Sequence, residues 1–261
     1  MTFAAPVILS SFFAACGDDG NNPPPDAAAP DAAPDAPPAF DCETSPATGT
    51  HKVFLQFEGA TLSPAEISDA TQDLSALISG DDPATIPAWR ADDPEREAHI
   101  QAVVCSLRET LFPYDVEVVT TRPASGEYEM IVIGGRGTDL GYDMPEGAVL
   151  LANAATPCER GTNPREVSWV AEFPSLGELQ QTPIETANMA AYTLGINGLL
   201  NFSTGTTNCM CHPFSIPPCE RDQTCAFSEG SQIPEDGHVC DEGPATEDQV
   251  EKLETRYGAR R

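Results

Sequence analysis

Apolar side chains alternate with polar ones from His51 to Phe57, placing Val53, Leu55 and Phe57 on one face, and Glu58-Gly59 closes the run. Period-two alternation predicts a strand. Asp115 to Thr120 (DVEVVT), Glu129 to Ile133 (EMIVI), Gly147 to Ala152 (GAVLLA) and Val167 to Phe173 (VSWVAEF) read as further strands. Gly134-Gly135-Arg136-Gly137 lacks the Lys-Ser/Thr of a P-loop and any GxGxxG frame, so it is expected to be a turn. Helical spacing appears elsewhere. Ser63-Pro64-Ala65-Glu66 reads as a capping box opening a helix with Ile67, Leu74 and Leu77 or Ile78 inside. Asp93-Pro94-Glu95 starts another, in which Ile100, Val103, Leu107 and Leu111 repeat and His99 and Cys105 ride along, His99 as a surface residue. A last helix is expected from Thr246 to Tyr257, with Thr246 and Gln249 as its capping box and Val250, Leu253 and Tyr257 on its buried face.

The most informative helix runs from Thr182 to Gly198, TPIETANMAAYTLGING. Thr182 caps it, Pro183 suits the first position, and Glu185 reaches back to the Thr182 amide. Ile184, Ala187, Ala191 and Leu194 share a face, and Gly195 or Gly198 is expected to supply the left-handed residue that ends it. The stretch Tyr192-Thr193-Leu194-Gly195-Ile196-Asn197-Gly198 resembles the HxLGLxH half of the metzincin motif HExxHxxGxxH. In that family three His bind zinc, the Glu activates bound water and the Gly turns the chain. In register with Gly195, the resemblance places Asn188, Tyr192 and Gly198 at the three His positions and Met189 at the general base. It also implies a Met-turn downstream, for which Met210 is the candidate. The order of elements, strands and helices followed by the Thr182 helix and an irregular Cys-rich stretch, resembles the same family. It implies an α+β fold: a mixed sheet backed by helices (42–200) and a disulfide-rich irregular lower part (201–261).

Because neither ligand nor base survives, the resemblance implies a pseudopeptidase with no catalytic or metal residue and no cofactor, its cleft filled or used to bind a polypeptide. Two other functions compete. An active enzyme would hold zinc through non-family ligands drawn from His51, His99, His212 and His238, with Glu185 as base. A structural or adhesive envelope module would need no site. No GxSxG elbow occurs, and the pairs Asp81-Asp82 and Asp92-Asp93 sit beside Pro, where turn and cap roles explain them.

The N-terminus adds an address. Residues 1–16 form an apolar run ending in Phe13-Ala14-Ala15-Cys16, which resembles a bacterial lipobox. The run is shorter than the roughly 20 residues a membrane span requires. No Lys or Arg precedes Cys16, which points to a start codon further upstream. Lipidation of Cys16 would anchor the chain, and residues 17–41, rich in Asp, Ala and Pro, read as an extended tether. Gly17 after Cys16 leans toward the outer membrane.

Nine Cys are present, and setting Cys16 aside leaves Cys42, Cys105, Cys158, Cys209, Cys211, Cys219, Cys225 and Cys240 for four bridges. About 105 pairings are open. The spacing of Cys209, Cys211, His212, His238 and Cys240 is too irregular for a zinc site to be favoured over disulfides. A net charge of −28 excludes nucleic acid as partner and disfavours adsorption to anionic membranes. No DxDxDG calcium loop is present.

Overall fold

The structure is a computed structural model, and it describes residues 40–45, 48–144, 150–154, 158, 162–172, 181–211, 218–240 and 244–260. The signal segment, Cys16 and nearly all of the tether lie outside the described residues.

In chain order the elements are β1 (His51–Gln56), β2 (Ala60–Pro64), β3 (Leu74–Ser75), β4 (Ala84–Ile86), α1 (Arg96–Leu111), β5 (Val116–Val119), β6 (Glu129–Ile133), a short 3-10 helix (Gly137–Leu140), β7 (Ala152–Ala154), β8 (Val167–Val170), α2 (Pro183–Asn197), β9 (Ser231–Gln232), β10 (Thr246–Glu247) and α3 (Gln249–Tyr257). The fold is α+β with a mixed main sheet of order β5-β1-β6-β8-β7. Its first four strands are parallel, and β7 runs antiparallel to β8 at one edge.

Both faces of this sheet are covered, which explains why its strands are apolar at nearly every position. Val53, Leu55, Ile131 and Ile133 pack with α1, α2 and α3 in one core. Phe54, Met130, Val132 and Trp169 point the other way, into a second core with Leu62, Leu77 and Ile86 from the segment holding β2, β3 and β4.

That segment departs from the helix expected after Ser63. Ser63 donates its N–H to Asp73 O (2.9 Å) and Ala65 to Ser75 O (3.0 Å), as partners in a small sheet. The Asp69 carboxylate accepts from the Thr71 N–H (3.0 Å), the Thr71 hydroxyl (2.6 Å) and the Gln72 amide (2.8 Å). Local bonds of this kind compete with a helix, and Asp73 in the left-handed region (φ 56°) turns the chain back. Ile67, expected inside, is 57% exposed.

Three boundaries also move. The strand expected over Gly147 to Ala152 is β7, which starts at Ala152; residues 145–149 lie outside the described residues. At the end of α2, Gly198 has φ −78° and Leu199 takes the left-handed conformation (φ 58°). The next residue, Leu200, is fully buried in the core. The cap of α3 is Asp248, whose carboxylate accepts from the Glu251 N–H, while Thr246 belongs to β10 and Gln249 is buried beside Asn208. A carboxylate there also complements the helix dipole.

Four disulfides are present: Cys42–Cys105, Cys158–Cys240, Cys209–Cys225 and Cys211–Cys219. Buried carboxylates tie the sheet to the helices. Glu129 at the start of β6 accepts from Tyr257 (2.8 Å), Arg256 (2.9 Å) and Asn197 (3.1 Å), joining α2 and α3 to the sheet. Its neighbour Glu166 accepts from Ser68, Asn163 (3.2 Å) and the Val167 N–H (3.2 Å) but has no ion pair among the described residues, and burial pushes its pKa above the ordinary 4.5. A carboxyl raised in the folded state binds protons more tightly there than when unfolded. Its contribution to stability is therefore fullest below 4.5 and is lost as pH rises through the folded value. Denaturant titrations at several pH values are expected to show the wild type gaining on Glu166→Gln as pH falls from neutral. A pH-independent difference would contradict this.

Candidate functional site

The capping box at the start of α2 forms as its sequence dictates: Thr182 Oγ1 accepts from the Glu185 N–H (3.1 Å), and Glu185 Oε2 accepts from the Thr182 N–H (2.9 Å). Glu185 is thereby committed to the cap. Buried Ala187, Ala190 and Ala191 let the helix pack closely in the core it shares with α1. Near its far end, a Cβ on Gly195 would overlap the Met210 sulfur and lie 3.3 Å from the Phe227 ring. Fully buried Met210 therefore sits directly against the one position of this face without a side chain. A short buried loop holds it there: the Met210 N–H donates to Asn208 Oδ1 (2.7 Å) and the Met210 carbonyl accepts from Ser203 (2.7 Å).

The other motif positions have structural work. Asn188 spends both ends of its amide on the Cys-rich segment, donating to Gln223 O (2.9 Å) and accepting from the Cys225 N–H (3.0 Å). Tyr192 stacks on Phe202 with ring centroids 6.0 Å apart, and burial pushes its phenol up to about 12. The hydroxyl makes no hydrogen bond among the described residues and stays protonated at neutral pH. Met189 is half-buried against the core. Gly198 caps the helix.

Asn188, Met189 and Tyr192 come together on one wall of a cleft of about 400 Å³, opposite Leu150, Leu151 and Ala152 of the β7 edge. Cys209, Cys211, Cys219 and Cys225 complete its lining with Asn208, Glu220 and Arg221. Both bridges within the Cys-rich segment thus stand in the cleft wall, and the bonded sulfurs are not thiolate ligands.

These residues do not fit zinc. An amide engaged at both ends, a protonated phenol and a glycine offer none of the anionic or imidazole donors the ion requires, and Met189 cannot take a proton. The His of the competing reading are dispersed. His51, at the start of β1, meets Tyr257 edge to face, and His99 bonds Asp93 (3.0 Å) and Arg90 (2.9 Å) at the start of α1. His238 does not line the cleft, and His212 lies outside the described residues. Among the described residues no group of three or more His, Cys, Asp or Glu is placed to hold a metal ion.

The two edges of the main sheet differ. On β5 the carbonyls of Val116 and Val118 accept from Arg260 (2.6 Å) and Arg108 (3.1 Å), and Gly49 presses so close that a Cβ there would meet the Val116 backbone. On β7 the Ala171 N–H bonds Leu151 O (2.9 Å), which leaves the backbone of the alternate residue, Ala152, facing away from β8; Ala152 also lines the cleft. Neither backbone group of Ala152 has a partner among the described residues. Residue spacing alone did not single out Ala152 or Arg221; the open edge emerges only from strand order.

Comparison with models of protein families, with curated proteins and with solved structures finds no match.

Two stability measurements check the site. Asn188→Ala strands a buried Cys225 N–H and is expected to cost about 2–3 kcal/mol in urea unfolding. Gly195→Ala is expected to cost about 1–3 kcal/mol by overpacking against Met210. In a Met210→Ala background the same change becomes neutral or stabilising, since Ala favours a helix over Gly by about 1 kcal/mol. Equal costs in both backgrounds would rule out the contact.

Proposed function

We propose that the chain is a lipid-anchored extracytoplasmic protein whose metzincin-like domain has no peptidase activity and binds an extended polypeptide in the former catalytic cleft. The anchor rests on Cys16 and the Asp/Ala/Pro-rich tether that follows it. No helix among the described residues is long and apolar enough to cross a membrane. The family reading is supported by a mixed sheet preceding the helix and by Met210 packed against Gly195, which stays within the helix while Leu199 turns the chain.

One observation carries the binding role: the backbone of Ala152, facing away from β8 without a partner among the described residues, in the lining of an apolar cleft. An extended peptide laid along such an edge gains main-chain hydrogen bonds, while Leu150, Leu151, Met189 and Tyr192 offer surface to its side chains. Catalysis in the family's manner fails on the chemistry of Asn188, Met189, Tyr192 and Gly198. What the site retains is shape.

Ala152→Pro tests this directly. Ala152 gives no bond to β8, so proline removes a single outward N–H from an edge strand, where it is tolerated. The variant is expected to keep its unfolding midpoint and to lose about tenfold or more in affinity for an extended peptide, read by fluorescence polarisation. Stoichiometric zinc in the purified protein together with degradation of an unfolded protein would overturn the reading.

A further inference from the structure

The cleft contains one feature that peptide binding in general does not need. Of the two charged side chains that line it among the described residues, Glu220 has both carboxylate oxygens engaged, one by the Thr206 hydroxyl (2.9 Å) and the other by the Gln223 amide. Arg221, next in sequence, is half-buried and has neither an ion pair nor a hydrogen bond among the described residues. An unpaired guanidinium is out of place in a chain of net charge −28. Many other cations of the fold are paired, Lys52 with Glu117, Arg96 with Glu58, Arg122 with Asp73, Arg165 with Asp69, and Arg256 with Glu129, while Arg136, also without an ion pair among the described residues, is exposed and does not line the cleft. A second unspent donor shares the cleft, the hydroxyl of Tyr192, which burial keeps protonated.

We propose that this cleft captures the free C-terminus of an apolar polypeptide, with Arg221 and the Tyr192 hydroxyl donating to its α-carboxylate while the preceding residues pair with the Ala152 edge. The assignment rests on the peptide-binding reading and names its ligand class. Charge selects the occupant. A guanidinium and a hydroxyl together suit one carboxylate, and charge-assisted bonds to it are roughly twice as strong as neutral ones. A segment carrying several acidic residues is repelled by the surrounding negative field. A basic segment meets Arg221. A chain end whose single charge is its terminal carboxylate satisfies the local cation without opposing the field, and its apolar side chains match Leu150, Leu151 and Met189.

The test uses the full-length, disulfide-intact chain and three N-terminally labelled hexapeptides: Ala-Ser-Val-Thr-Val-Leu as free acid, the same peptide as its C-terminal amide, and an amide in which Glu replaces Thr. Fluorescence polarisation is expected to show the free acid binding at least about tenfold more tightly than either amide. Arg221→Met is expected to erase that preference, bringing the acid down to the amide, with circular dichroism unchanged. Tyr192→Phe keeps the stack on Phe202 and is expected to lower acid binding severalfold. Ala152→Pro weakens acid and amide alike. Equal binding of acid and amide, with both reduced by Ala152→Pro, would overturn the C-terminal assignment and leave peptide binding intact. Tight binding of the Glu-containing amide would show that an internal carboxylate serves instead, and would also overturn it. If no peptide binds, both readings fall together.

Discussion

The arrangement of the site depends on a missing side chain. At Gly195 the helix α2 has nothing beyond its backbone, and the Met210 side chain occupies the space that any other residue would fill. This close approach fixes the distance between the helix and the disulfide-bonded segment, and hence the depth of the cleft. Asn188, about two turns earlier, fixes the orientation by bonding the same segment at Gln223 and Cys225. One contact is dispersive and the other polar, so they resist different displacements: sliding along the helix and rolling about it. The Cys209–Cys225 bridge joins the loop that carries Met210 to the stretch that Asn188 holds, so the two restraints act on one body.

The sheet gives that body something rigid to stand on. Its strands are buried on both faces, and the carboxylate of Glu129 at its lower edge gathers Tyr257, Arg256 and Asn197 from two helices. Taking a carboxylate out of water is costly unless it is paired and hydrogen-bonded, and Glu129 meets both conditions. Glu166, its buried neighbour, meets only the second, and burial raises its pKa.

Much of the fold could be read from local chemistry. The capping box of α2, the periodicity of α1 and the strands β1, β5 and β6 each depend on residues close in sequence, and each formed where expected. The segment after Ser63 shows the limit: its helical signature was genuine, but Asp69 and Asp73 favoured turns, and the exposed face of the main sheet needed cover. In the site, Asn188, Met189 and Tyr192 line one cleft and Gly195 lies against Met210. The opposite wall was invisible, because Ala152 acquires its meaning from being last in strand order and Arg221 from lacking a partner. Neither property resides in a neighbouring residue. The disulfide pairing was likewise beyond reach, since Cys42 meets Cys105 only after the chain has folded.

The unequal edges of the sheet bear on how copies of the chain behave toward one another. An unpaired edge is a template for any strand, including the same edge of a second molecule, and two β7 strands brought face to face could extend one sheet into another. The β5 edge is closed by arginines, so growth of this kind would stop at a pair. With a charge of −28 on each copy, even that pair is held apart by mutual repulsion. The abundant acidic residues therefore act as a colloidal safeguard for a groove that must stay open, one that weakens as ionic strength rises.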